Sequence, residues 1–571
     1  MLSGIAGAVR PDGPAPDLGP LLERLAALRP GGAPVSATLG PAALGATRDT
    51  ALLAGADTLV AVDADQPAST RAAARDAAPA GPAAAAMWEG AARRLTLTRD
   101  ALGGRPLFYA PLPDGGLAFS SSLRALASWP GVSAAPDPTG IDQFLEWGYV
   151  RAPGTILRGV RKLPAGQRLV WEGGRERIEE APAPGGVAAA GASLRGSLEA
   201  AVRRRLPSSG PAFVLAGTGA ADPLVERIVA EVAPGRERRL AFEGPGALRY
   251  EVGPGQIMVT LPQLLDEPLA DARLLGVARL LRAAAEDMGV CAPASHLPAP
   301  MGVAPRPIAL SGHGAPELLG DAPRHRASLQ GLELPAWRRA LALRLLGGPI
   351  DAGSAGDGFR DRVRLRASTP AGDARAAWRF HETLFDAALR GRLLRPQVRE
   401  GAARDGAAAG EETGGTGAPA DRLLALDLEY HLPGLLLPGL DAASVWSGVE
   451  LRSPFLDPEV VRFVVGTPAE KRAAMIEEAG APERAPALDR WWRGELADLA
   501  REVLTGRVAR DRGIIEMKTM KELLEEHRTG ARRRERQLHA LLVLELWLRA
   551  HAEGPREMRR KARSAAGPEG S

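Results

Sequence analysis

Two short apolar runs each feed a glycine-containing turn, and those turns are where this sequence could do chemistry. The first run, Pro211-Ala212-Phe213-Val214-Leu215, enters Ala216-Gly217-Thr218-Gly219-Ala220-Ala221, and a helical pattern follows from Asp222 to Val232. The second, Pro307-Ile308-Ala309-Leu310, enters Ser311-Gly312-His313-Gly314. A strand that ends in such a turn at a helix start aims several backbone N–H groups at one point, which is how proteins cradle phosphates. Gly217, Thr218, Gly219, Ser311 and Gly312 lie in these turns, where a weak anion nest can form. Glu317 stands just past the second turn, where one acid is more often a helix N-terminal charge than a metal ligand. His313 reads as a loop histidine. The single cysteine, Cys291, excludes an intramolecular disulfide framework and a cysteine-rich zinc site.

The elements that must hold these turns can be read around them. A chain of 571 residues, 45% apolar and 25% charged, suits two to four soluble domains. The net charge of +4 is small and scattered, so no nucleic-acid partner is expected. No stretch reaches the ~18–20 apolar residues that span a bilayer, and the N-terminus reads as a strand and turn. A cytoplasmic location without a membrane partner is the expectation. Up to residue 180 the pattern is β-rich, as in Leu95-Thr96-Leu97-Thr98 and Gly116-Leu117-Ala118-Phe119, with a loop over 65–85. A helix over Ser193 to Arg205 opens a second region, in which strand, glycine turn and helix begin a parallel α/β unit. From about 320 the pattern is helical. A flexible insertion is expected over 401–421, a last helix ending near His551, and a disordered basic tail over 553–571. The domains so delimited are 1–180 and 190–552.

Arg99 to Tyr109, RDALGGRPLFY, resembles a turn of the glutamine-hydrolysing asparagine synthetases. Further matches follow in that family's order: FSSSLRAL from Phe119, GYVRAPGTILRGVRKLPAGQRL from Gly148, LDEPLAD from Leu265, SGHGAPELLG from Ser311 and DAASVWSGVELRSPFLD from Asp441. A C-terminal match spans Leu523 to Leu548. The resemblance covers nearly the whole chain. It implies an α/β protein: an N-terminal αββα glutaminase-like (Ntn-type) sandwich, then a parallel-sheet adenine-nucleotide α/β synthetase domain with many helices. It also implies the family reaction, ATP-dependent amide formation on aspartate with glutamine or ammonia nitrogen, with ATP and Mg²⁺ as cofactors. The resemblance further implies that Gly217, Thr218, Gly219, Ser311 and Gly312 are nucleotide-loop residues and that Glu317 is a metal ligand. The same scaffold serves β-lactam synthetases and lasso-peptide cyclases, which work without glutamine.

Against that family the reactive positions are altered. The nucleophilic cysteine that follows the initiator Met aligns with Ser3, behind Leu2, so the serine lacks the free α-amine that would act as its base. The glutamine-pocket motifs read Arg29-Pro30-Gly31-Gly32, Ala46-Thr47-Arg48-Asp49 and Asp63-Ala64-Asp65. In the nucleotide loop the family's hydroxyls and aspartate are replaced, with Ala220 at the aspartate position and Asp222 two residues late. Pro316 takes the place of the second metal acid. Asp266, Glu267 and Asp271 match the family's DEPxxD and are expected to shape a substrate pocket. Glu450 matches an acid that orients catalytic groups in the cyclising relatives, and Arg452 with Asp457 is expected to form a structural ion pair. A lysine-bearing stretch is missing between Lys471 and Pro486, where Lys471 and Arg472 alone remain. The expectation is an asparagine-synthetase-like protein whose glutaminase site is lost and whose synthetase site is degenerate, an impaired or non-catalytic paralogue. Two alternatives stand beside it: an ATP-dependent amide ligase or cyclase of the lasso-peptide or β-lactam synthetase type, or a structural partner of an active paralogue. The partners expected are a small-molecule or peptide substrate and a homo-oligomer or active paralogue.

Overall fold

The structure, a computed structural model, describes residues 4–29, 33–47, 52–64, 83–181, 193–218, 221–242, 253–290, 306–353, 355, 358–405, 417–479 and 491–565. Two six-stranded antiparallel sheets form the N-terminal part. The first runs, in spatial order, Arg161–Lys162, Phe108–Pro111, Leu117–Ser120, Ile5–Val9, Ala42–Ala46, Val35–Leu39. The second runs Arg175–Glu180, Gln167–Glu172, Arg94–Arg99, Ala83–Glu89, Thr58–Ala64, Leu52–Ala54. Alternation along the strands explains why the sheets stack. Leu59 and Ala61 join Ile5, Leu44, Leu97 and Trp88 in the core between the sheets, whereas Val60 and Val62 cluster with Ala83 and Ala85 on the far face. The helices Gly19–Leu28, Leu123–Leu126 and Pro138–Trp147 cover the outer face of the first sheet.

The second part is built on a four-stranded parallel sheet in the order Glu237–Ala241, Ala212–Ala216, Ile308–Leu310, Glu450–Arg452. The helix Leu194–Arg205 starts at Ser193, whose side chain accepts from Gly196 N, a standard N-terminal cap. The helix Asp222–Val232 follows the first glycine turn, with Leu224, Val225, Ile228 and Val229 buried against the sheet. These placements match the hydrophobic periodicity in the sequence.

Three expectations need revising. The last helix does not stop near His551 but spans Glu535–Ala565, so it continues into the segment read as a disordered tail. The ends of the expected 401–421 insertion belong to the helices Pro396–Asp405 and Pro419–Leu426, and 406–416 lie outside the described residues. Arg452 does not pair with Asp457. Arg452 bonds Glu450 at 2.8 Å, two residues back on the same face of one strand, while Asp457 is held by Arg204 at 2.9 Å and by Arg205.

Leu97 is fully buried between the two N-terminal sheets. Leu97→Ala should therefore leave a cavity and cost about 2–5 kcal/mol, read as a lower denaturation midpoint for that part of the chain.

Candidate functional site

The two glycine turns lie side by side at the C-terminal ends of neighbouring parallel strands, the place where open α/β sheets put their ligands. Their approach is close. A Cβ on Gly312 would stand 2.4 Å from the carbonyl carbon of Ala221 and 2.6 Å from Asp222 N, so no side chain fits there. Gly217 takes φ +86°, open to glycine and strained for other residues.

Asp222 fills the space between the turns. It is fully buried at the start of its helix. One carboxylate oxygen accepts from Thr218 N at 2.9 Å and Thr218 Oγ1 at 3.1 Å, and the other accepts from Gly312 N at 2.8 Å. The amides of Thr218 and Gly312, both candidate nucleotide-loop residues, thus point at an anion the chain itself supplies. Gly219 and Ala220 lie outside the described residues, as does Ser3 at the N-terminus.

The remaining residues of the second turn are buried. Ser311 Oγ and both ring nitrogens of His313 have no hydrogen-bond partner among the described residues. Burial pushes the His313 imidazole below its ordinary pKa, against the pull of Asp222, Glu317 and Asp271, so it sits there neutral. Ser453 Oγ donates to the His313 carbonyl at 2.5 Å and ties the turn to the end of the fourth strand.

Glu317 turns away into a buried network. Arg324 reaches Glu317 at 3.4 Å, Glu382 at 2.9 Å and Asp427. Asp427 also contacts His325 at 2.9 Å and accepts from Trp378 Nε1 at 2.7 Å, and His431 Nδ1 meets Glu382 at 2.9 Å. Burial would raise the carboxyl of Glu317, but Arg324 and Arg273 outweigh it and hold it below the usual range. Asp427 and His431 come from one segment, Asp427–Leu436, wound more widely than an α-helix and containing Pro433. This network drew no notice in the sequence because its members span more than a hundred positions. Among the described residues, no group of three or more His, Cys, Asp or Glu side chains converges as a metal site.

The DEPxxD acids separate. Asp266 accepts from Ser122 Oγ at 2.6 Å and lies 3.4 Å from Arg29, and Glu267 pairs with Lys162 and accepts from Ile156 N at 3.0 Å. Both therefore bind the N-terminal sandwich to the second half, and both line a narrow cleft between the halves. Asp271 is not in that cleft. It accepts from Arg273 Nη2 at 2.8 Å and Arg273 N at 3.0 Å. Arg29, from the glutamine-pocket motif, also reaches Asp441 at 2.9 Å, and Asp441 is bonded by Arg105 at 2.8 Å.

Glu450 lines a different cleft together with Arg105, Arg205, Arg452, Ser444 and Ser453, with Leu102, Leu437, Leu440 and Leu456 as its apolar wall. Arg452 donates twice to one Glu450 oxygen, at 2.8 and 2.9 Å. Arg472, one of the cations left beside the missing stretch, is buried against Asp421 at 2.5 Å and donates to Thr467 O, so it is fixed in the fold. Lys471 is exposed, and 480–490 lie outside the described residues.

Buried histidines give this half an acid-sensitive stability. Burial pushes His381 and His539 each down to about 4. The unfolded chain binds these protons from the ordinary value of about 6.5 downward, while the folded chain holds out until about 4. Stability is therefore complete above pH 6.5 and falls between pH 6.5 and 4, by an amount on the order of 3 kcal/mol for each group. Melting temperatures across that range should drop in the wild type, and the slope should flatten in His381→Gln/His539→Gln.

Comparison with known proteins agrees with this architecture. Residues 256–478 and 480–549 match the asparagine synthase family, and 70–180 match the glutamine amidotransferase domain. Proteins of Mycobacterium tuberculosis and Mycobacterium bovis, provisionally named glutamine-hydrolysing asparagine synthetase, are 24% identical over 534 residues, covering 81% of this chain and 75% of theirs. Asparagine synthetase (glutamine-hydrolysing) 3 of Bacillus subtilis is 30% identical over 87 residues, 15% of this chain and 14% of its own. Among solved structures, glutamine phosphoribosylpyrophosphate amidotransferase of B. subtilis, complexed with ADP and GMP, is 11% identical at a TM-score of 0.20, covering 42% of this chain and 65% of that one. With 256–478 and 480–549, just over half of its length, matched by the family pattern, this chain belongs to the asparagine synthase family.

Proposed function

We propose that this member of an ATP-dependent ligase family has lost both half-reactions and acts as a non-catalytic or severely impaired paralogue. The observation that carries the reading is the Asp222 carboxylate seated on the Thr218 and Gly312 amides. A phosphate group entering that nest must displace a buried carboxylate with three hydrogen bonds, or accept its repulsion at contact distance. Hydrogen bonds to a charged group are worth about 1.5–3 kcal/mol each, so the internal anion outcompetes a ligand that first has to bind. The chain's own residues do not fit Mg·ATP. Pro316 supplies neither a carboxylate nor an N–H at the second metal position, and Glu317 is committed to Arg324. On the glutaminase side, Ser3 stands behind Leu2, and Arg29 of the pocket motif is spent on Asp441 and Asp266 across the domain boundary.

A second reading, an ATP-dependent amide ligase or cyclase working without glutamine, rests on the cleft around Glu450. Its leucine wall suits an apolar body, and its guanidinium groups, paired with Asp441, Asp457 and Glu450, would have to exchange those partners for a substrate carboxylate. Nucleotide binding separates the two readings, since a ligase needs it. Calorimetry with Mg·ATP should give a dissociation constant weaker than about 1 mM, where a micromolar value, about −8 kcal/mol, would favour the ligase. Glutamate release from glutamine should not exceed that of Ser3→Ala.

The internal anion can be tested directly. Asp222→Asn keeps one acceptor but removes the charge, and should raise affinity for inorganic pyrophosphate about tenfold, or about 1.4 kcal/mol. It should do so without creating pyrophosphate release from ATP in the presence of aspartate and ammonia, because ground-state affinity alone does not accelerate the chemical step. An unchanged affinity would show that Asp222 is not what closes the nest.

A further inference from the structure

The helix Ala336–Leu346 buries none of its residues. It packs beside the helix Phe359–Ser368, held there by Arg339, which donates to Gly331 O at 2.7 Å and to the carbonyls of Ala367 and Thr369. Arg339 marks the inward face. On the outward face, Trp337, Leu341 and Leu345 are 64%, 49% and 70% exposed. At about 100° per residue these three, spaced i, i+4 and i+8, form a stripe about 80° wide. Arg344 borders the stripe on one side and Arg338 on the other, with the Arg338 guanidinium 5.1 Å from the centre of the Trp337 ring. The neighbouring helix adds Phe359, 74% exposed, and the exposed Arg360 and Arg362. The acid on that helix, Asp361, is engaged by Arg364 at 3.8 Å.

We propose that this helical hairpin is a peripheral docking surface for an anionic lipid bilayer. Large exposed apolar side chains bordered by guanidinium groups offer a headgroup boundary both an apolar contact and a cationic one. Trp prefers that depth, and long Arg side chains reach back to the headgroups while their stems lie in apolar surroundings. The charge argues for the occupant. A second copy would set four arginines against four others, whereas phosphate-bearing headgroups complement them. No spanning segment is needed, so the lack of any helix long and apolar enough to cross a membrane among the described residues does not bear on it. The expectation of no membrane partner was drawn from spanning stretches alone.

The test is sedimentation of the full chain with vesicles of phosphatidylcholine, with and without phosphatidylglycerol. Binding should require phosphatidylglycerol and weaken as salt is added. Trp337→Ser/Leu345→Ser should reduce it at least tenfold. Arg338→Gln and Arg344→Gln should each reduce it about fivefold, with melting temperature unchanged because all four side chains are exposed. The proposal is overturned by wild type left in the supernatant at every lipid composition, by variants that sediment as well as wild type, or by a wild-type dimer without lipid that Trp337→Ser/Leu345→Ser turns into monomer. The last would assign the face to self-association. Binding of an acidic peptide in place of phosphatidylglycerol vesicles would assign it to a protein partner and overturn the proposal as well.

Discussion

A carboxylate with no solvent contact, accepting three hydrogen bonds from two loops, is the constraint on which the second half of this protein turns. Asp222 joins the turn after the second strand of the parallel sheet to the turn after the third. Gly312 lets the turns approach, because its missing Cβ is the only reason the backbone can lie against Ala221. Once they are joined, the helix that begins at Asp222 is fixed in direction, and its Leu224, Val225, Ile228 and Val229 complete the core over the sheet. The negative charge also sits at the N-terminal end of its own helix, where the backbone dipole favours it. Stability and ligand binding compete here for the same amides.

The boundary between the two halves is governed by a second set of charges. Arg29 and Arg105 from the sandwich converge on Asp441, Lys162 on Glu267, and Ser122 with Arg29 on Asp266. These groups are largely shielded from water, so removing one partner strands the other and costs several kcal/mol, even where the intact pair adds little net stability. Such an arrangement specifies orientation more than it stabilises. Arg29, from the glutamine-pocket motif, thereby has a structural use.

Local rules in the sequence reveal much of this fold. Alternation exposes the strands around Leu95 and Leu117, Ser193 marks a helix start, and the two apolar runs mark the parallel strands. The role of Asp222 is not legible from the same rules, because it makes no capping bond within its helix and its carboxylate instead accepts from the preceding turn and from a turn ninety positions on. The Arg452 pairing was legible, because residues i and i+2 of a strand share a face. The Arg324 network was not. Glu317, Glu382 and Asp427 lie on separate segments, and only tertiary packing brings them to one guanidinium.

Three glycines that match the family motif in the two turns are required by the backbone. Gly217 and Gly314 take positive φ, at +86° and +87°, and Gly312 has no room for a side chain. Replacing any of them strains or separates the turns whatever the site binds. Pro316, which differs from the motif, is under no such backbone constraint. Gly314 leads into the short helix Ala315–Leu319, where Pro316 falls at a first-turn position that tolerates proline, since an N–H there has no partner within the helix. The pattern of match and mismatch therefore follows a physical division between groups that shape the loop and groups that would hold a metal and a nucleotide. In these turns an internal carboxylate, Asp222, sits among the groups that shape the loop.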